Sequence, residues 1–224
     1  MAEKYGVVPK KFTLAWFDYV WTYYKWHILI PLVILLFTLV TVYQCTHRTP
    51  YDIEVIYAGH TVFTDNQMKE IPLGMAKYCD DINGDDKTLV SFDQINFRDV
   101  PGSEELDYNL QMKLDLQFQR NKSFLFIFDK DEMDLMLARE HEDMIYYPVS
   151  EWAKDMPSDD KLYTKNGIAY GVSLADNEVI KSLGIKSQDL YLVVRINYSD
   201  EPDADKKYAN AIKLANALVG NVVE

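Results

Sequence analysis

The chain has 224 residues, 48% of them hydrophobic, and carries a formal net charge of −12. That length suits one domain of ordinary size plus a short appendage. So acidic a chain is a poor partner for nucleic acid or anionic lipid headgroups, which repel it. Two cysteines, Cys45 and Cys79, are too few for a disulfide framework; both read as free thiols, Cys79 as a small core residue.

The first segment, residues 1–25, is rich in aromatic residues. Set on a helix, Phe12, Trp16, Tyr19, Val20 and Tyr23 gather on one side, with Lys11, Asp18, Thr22 and Lys25 on the other. This pattern predicts a cytoplasmic helix lying in the membrane interface and then turning into the bilayer. A straight continuation into the next segment, or a contact surface for a partner, are the alternatives. Residues 26–43 read WHILIPLVILLFTLVTVY, 18 residues without Asp, Glu, Lys or Arg. About 20 such residues cross roughly 30 Å of hydrocarbon. Trp16, Trp21, Tyr23, Tyr24 and Trp26 on one side and Tyr43 on the other are placed for the two interfaces with the lipid bilayer. Pro31 is tolerable inside such a span.

A buried core helix and a cleaved signal peptide compete with this reading. Against cleavage, the exit Val42-Tyr43-Gln44-Cys45 lacks small residues at the positions that matter, which also makes Cys45 a poor lipidation site. Lys4, Lys10, Lys11 and Lys25 precede the span and only Arg48 follows closely. The positive-inside rule then predicts a single-pass protein of the cell membrane, N-terminus in the cytoplasm and C-terminal domain outside. Residues 44–50 are a linker. Beyond residue 48 there remain 18 basic and 33 acidic side chains, a net charge of −15.

Residues 51–224 read as one α/β domain. A strand over 52–59 ends in a glycine turn, and Thr64 or Asp65 caps a helix to about Asp80. A loop then leads to a strand from Leu89 to Phe97. Ser103-Glu104-Glu105 opens a long helix ending near Asn121, and the apolar run Phe124 to Phe128 is a strand buried on both faces. Asp129 caps a short helix to about Ala138. This β-α-β-α-β-α order predicts a three-layer domain with a mostly parallel sheet. Next come a short strand over 145–149 and a hairpin of 162–164 with 168–172, turned at Asn166-Gly167. A short helix over 178–183, a strand from Tyr191 to Asn197 and a final helix from Asp203 to Val219 complete the domain.

The sharpest local motif is Asp81-Ile82-Asn83-Gly84-Asp85-Asp86-Lys87. Asp81, Asn83 and Asp85 stand at positions one, three and five of a candidate calcium loop. Position six is Asp86 where such loops have glycine, and position twelve is Phe92 where they have glutamate, so an ordinary acidic turn is the competing reading. His27, His47, His60 and His141 show no zinc-ligand spacing and read as surface residues. No nucleophile elbow, P-loop or dinucleotide fingerprint occurs, and no cofactor is implied. In parallel sheets ligands bind beyond the carboxyl ends of the strands. That rule marks Tyr57, Gly59 and Asp129 as candidate ligand-binding residues, with Tyr170 and Ser173 nearby; ordinary turns are the alternative.

The stretch 122–174 carries a resemblance. A strand ending in Asp129, a helix, Pro148-Val149-Ser150-Glu151-Trp152 and Gly167-Ile168-Ala169-Tyr170-Gly171-Val172-Ser173 resemble the first lobe of extracellular solute-binding proteins of the type II periplasmic-binding fold. Ser173 stands where those proteins usually have proline. The resemblance implies one lobe of a binding protein, without room for the second lobe that closes over a solute. The segment Trp21-Thr22-Tyr23-Tyr24-Lys25-Trp26-His27 and the loop Asn83-Gly84-Asp85-Asp86-Lys87 also resemble a group of uncharacterised single-pass membrane proteins of anaerobic Gram-positive bacteria. The expected function is therefore a membrane-anchored, non-enzymatic domain that binds a small solute or a membrane or cell-surface protein partner. An accessory subunit of a membrane complex and a surface enzyme are the alternatives.

Overall fold

The structure, a computed structural model, describes residues 9–46, 51–98, 100–138, 145–175, 177, 180–181 and 189–220. The linker at 47–50, His141 with its charged neighbours, and most of the helix expected over 178–183 lie outside the described residues. The chain divides into two units, residues 1–49 and 50–224.

In the first unit one helix, α1, runs unbroken from Leu14 to Thr46, 33 residues with Pro31 inside it. The turn expected between an interfacial and a spanning helix is absent at residues 25–26, because nothing in Tyr24-Lys25-Trp26-His27 interrupts the hydrogen-bond ladder. Thr13 starts the helix, its hydroxyl donating to the Lys10 carbonyl at 2.7 Å and accepting from the Trp16 N–H at 3.3 Å. Within the apolar part, the Thr38 and Thr41 hydroxyls donate back to the Ile34 and Phe37 carbonyls, each at 2.8 Å. This helix is long and apolar enough to cross a membrane.

The second unit is built on a six-stranded sheet of order β2-β1-β3-β6-β5-β4. The strands are β1 (Ile53–Gly59), β2 (Val90–Asn96), β3 (Leu125–Asp129), β4 (Leu162–Lys165), β5 (Ile168–Ser173) and β6 (Leu190–Val194). The helices are α2 (Asp65–Ala76), α3 (Glu104–Arg120), α4 (Lys130–Ala138), α5 (Val149–Trp152) and α6 (Ala204–Leu218). On one face Ile71 and Met75 of α2, Trp152 of α5 and Leu214 of α6 pack against Val55, Tyr57, Ile127 and Leu192. On the other, Leu114 and Phe118 of α3 and Met133 and Met136 of α4 pack against Ile56, Phe126, Phe128 and Val193. The layering is that of an α/β domain.

The sheet is mixed, which corrects the expectation of a mostly parallel one. β1 pairs in parallel with β2 and β3, whereas β6 is antiparallel to both β3 and β5, and β4 is antiparallel to β5. A strand buried on both faces is apolar whichever way its neighbour runs, so the composition of β6 discloses burial and not direction. The expected strand at 145–149 is a single bridge between Tyr146 and Arg195, and Val149 already begins α5.

Local signals set the boundaries. Thr64 and Gln67 form a reciprocal capping box at the start of α2, and α3 stops where Asn121 turns to φ 53°. Asn166 and Gly167, at φ 53° and 80°, make the tight turn of the β4–β5 hairpin.

Candidate functional site

β1 and β3 are neighbours whose connections leave for opposite faces of the sheet: β1 leads to α2 and β3 to α4. The carboxyl ends of two such strands cannot be closed over by either connection, and a crevice opens between them. Here the crevice is a cleft of about 320 Å³ lined by Thr61, Asp129, Lys130, Asp131 and Asp189.

Asp129, the last residue of β3, is the centre of this site. Its Oδ1 accepts from the Glu132 backbone N–H at 2.9 Å and so caps α4. Its Oδ2 accepts from the His60 backbone N–H at 2.6 Å and lies 2.8 Å from His60 Nδ1. One carboxylate thereby ties the loop after β1 to the helix after β3. Through Nδ1 the imidazole is fixed to the carboxylate at the edge of the cleft, which His60 itself does not line. Partial burial works against a charged imidazole, but the hydrogen bond to Asp129 and the charges of Asp129, Asp131 and Glu132 outweigh it. His60 is held protonated to a higher pH than an ordinary histidine.

The floor of the loop is equally specified. The Tyr57 hydroxyl accepts from the Thr61 N–H at 2.7 Å. Burial pushes that phenol up to about 12, against the opposing effect of the Thr61 bond, so it stays neutral. Gly59 lies against both groups: a Cβ there would sit 2.5 Å from the Tyr57 hydroxyl and 2.6 Å from Asp129 Oδ2. Glycine is required by the close approach of side chains and not by its own backbone angles.

Of the residues expected to meet a ligand, Asp129 lines the cleft, while Tyr57 and Gly59 support it from behind. Tyr170 and Ser173 are on β5, separated from β3 by β6. Tyr170 is buried among the core residues of the α4 face, and the Ser173 hydroxyl accepts from the Ala175 N–H at 3.3 Å. Neither lines the cleft. Sequence reading missed His60, Thr61, Asp131 and Asp189. His60 reads as an isolated surface histidine because its partner is 69 residues away; a polar residue directly after a glycine-ended central strand is the only local sign of it.

The candidate calcium loop is held by hydrogen bonds of its own. Asp81 accepts from the Gly84 and Asp86 N–H groups at 2.7 and 2.8 Å, Asn83 from Asp85 at 2.9 Å, and Asp85 from Lys87 at 3.0 Å. The oxygens close a series of side-chain turns, and Asp86 takes the positive φ of 60°. Buried Asp52 clamps the loop by accepting from Ile82 and Leu89 N–H groups at 2.9 and 2.7 Å. Among the described residues no group of three or more His, Cys, Asp and Glu side chains is arranged to hold a metal ion.

The aromatic residues expected at the membrane interfaces, Trp16, Trp21, Tyr23, Tyr24, Trp26 and Tyr43, all belong to α1. Trp21, Trp26 and Tyr43 are among its most exposed rings. Compared with protein-family models, curated proteins and solved structures, the chain matches none of them.

Proposed function

We propose that the chain is a single-pass protein of the cell membrane, N-terminus in the cytoplasm, whose extracytoplasmic domain binds a small organic cation without transforming it. The observation that carries this reading is the cleft at the ends of β1 and β3, where Asp129, Asp131 and Asp189 stand with one lysine, Lys130. Three carboxylates around one open concavity, Asp129 buried and Asp131 and Asp189 exposed, favour an ammonium or guanidinium group. The net charge of −15 beyond residue 48 reinforces that sign over a longer range. The resemblance to one lobe of a solute-binding protein points the same way. Because protonated His60 would compete with a cation, binding should strengthen as pH rises through the raised pKa of His60.

Thermal unfolding of the full chain in detergent tests this, against organic amines, guanidinium compounds, calcium and matched anions. A ligand that binds only the folded state must raise the midpoint. Organic cations should do so, anions should not, and Asp131→Asn with Asp189→Asn should abolish the rise. If no organic cation moves the midpoint, this reading fails. A carboxylate-oriented imidazole is also how a general base is presented, and it favours a surface enzyme as the second reading. Turnover of a bound compound that disappears in His60→Asn would select that one.

A further inference from the structure

Helix α3 is held to its own domain along a narrow strip: of its residues only Leu114 and Phe118 are buried. On its far side Tyr108, Met112 and Leu116 are 66%, 45% and 50% exposed. They recur four residues apart, which places them within about 40° of one another's neighbours around the helix. The result is one continuous apolar ridge facing away from the sheet. An apolar row on so acidic a domain calls for a cover.

The charges along α3 indicate which cover fits. The helix runs from Glu104 to Arg120, so Met112 is its midpoint, with Tyr108 and Leu116 placed symmetrically about it. Glu105 lies near one end within the line of the ridge and Arg120 near the other end on its Leu116 side, about 20° and about 80° from Met112 at 100° per residue. Arg120 is also close enough to Glu201 of its own chain to act on it electrostatically. A two-fold axis through Met112, perpendicular to the helix, lays two copies of α3 antiparallel and returns each flank onto itself. Glu105 of each copy then meets Arg120 of the other, at both ends of the contact. Between them Tyr108 packs beside the partner's Leu116, and Met112 meets its own copy. A parallel arrangement would instead set Glu105 beside Glu105. The acidic first turn, Glu104, Glu105 and Asp107, also repels an anionic membrane surface.

We propose that this ridge is the seam of a homodimer, formed by two antiparallel α3 helices about a two-fold axis at Met112. Such an interface is self-complementary, and the end pairs require the shallow helix crossing of near 20° typical of coiled coils.

The test uses the full chain in non-ionic detergent, with protein mass read by light scattering. A dimer is expected for the wild type and a monomer for Met112→Asp and for Arg120→Glu. Combining Arg120→Glu with Glu105→Arg should restore the dimer, because the reversed pair is again complementary. In a Cys45→Ser background, Met112→Cys should give a disulfide-linked dimer under mild oxidation, since a residue on the axis faces itself. Lys69→Cys on α2 should not. A monomeric wild type overturns the proposal, whether the ridge then serves a different protein or none. A dimer that survives both Met112→Asp and Arg120→Glu overturns it too, by placing the contact elsewhere, α1 included.

Discussion

Asp129 concentrates three roles in one side chain: end of a central strand, cap of α4 and partner of His60. Its position and capping role are legible in the sequence, because an acidic residue between an apolar strand and an apolar-periodic helix has few other uses. Its pairing with His60 is not, since sequence distance hides contacts across a sheet. The pairing has a measurable pH signature. A group whose pKa is higher in the folded chain contributes stability below its ordinary value, about 6.5 for histidine, and loses that contribution as pH rises through the folded value. Substituting His60→Gln should therefore lower the thermal midpoint more at pH 5.5 than at pH 9, and the two chains should converge at the alkaline end. Gly59→Ala belongs to the same network. With 2.5 and 2.6 Å to the nearest side-chain atoms, the added methyl must displace Tyr57 or Asp129, at about 1–3 kcal/mol of unfolding free energy by denaturant titration.

At the level of elements, α6 acts as a clip as well as a core helix. Its Asn210 accepts from the Asp80 N–H at 2.9 Å and donates to the Asp80 carbonyl at 2.8 Å, holding the chain just after α2. Asn216 accepts from the Lys154 N–H at 2.8 Å and donates to the Trp152 carbonyl at 3.0 Å, holding the end of α5. Both asparagines interrupt an otherwise apolar face, which in sequence looks like imperfect periodicity. Asn216→Leu should cost about 1–3 kcal/mol, because it strands polar groups beside buried Trp152. Asn210→Leu should cost less, since Asp80 is exposed and water can replace the lost bonds. The β-α-β-α-β half of the domain was legible element by element, since each carries a cap, a turn residue or a clear period. The second half was legible as pieces, the hairpin above all, but not as an arrangement. Strand order is decided by which edge of β3 remains open, a property no single segment carries.

For the molecule as a whole, the division at residue 49 separates a single apolar helix from a domain with both of its core clusters inside residues 50–224. The chain should stay in the membrane pellet after alkaline carbonate extraction. A chain lacking residues 14–44 should be released and keep a cooperative thermal unfolding transition. If the shortened chain pellets equally, α1 is not what holds the protein there. Composition made this division plain, because an uncharged apolar run of 18 residues stands apart from everything that follows it in the chain.

The unbroken course of α1 has a mechanical consequence. Its 33 residues span about 50 Å, against about 30 Å of hydrocarbon, so in the proposed transmembrane placement a stub of about 20 Å would extend past the layer. Without a hinge between the two parts, a 10° change in tilt within the lipid swings the free tip sideways by about 3 Å. In the proposed transmembrane placement, the aromatic turns from Leu14 to Lys25 would form the far arm of a lever pivoting at the bilayer surface.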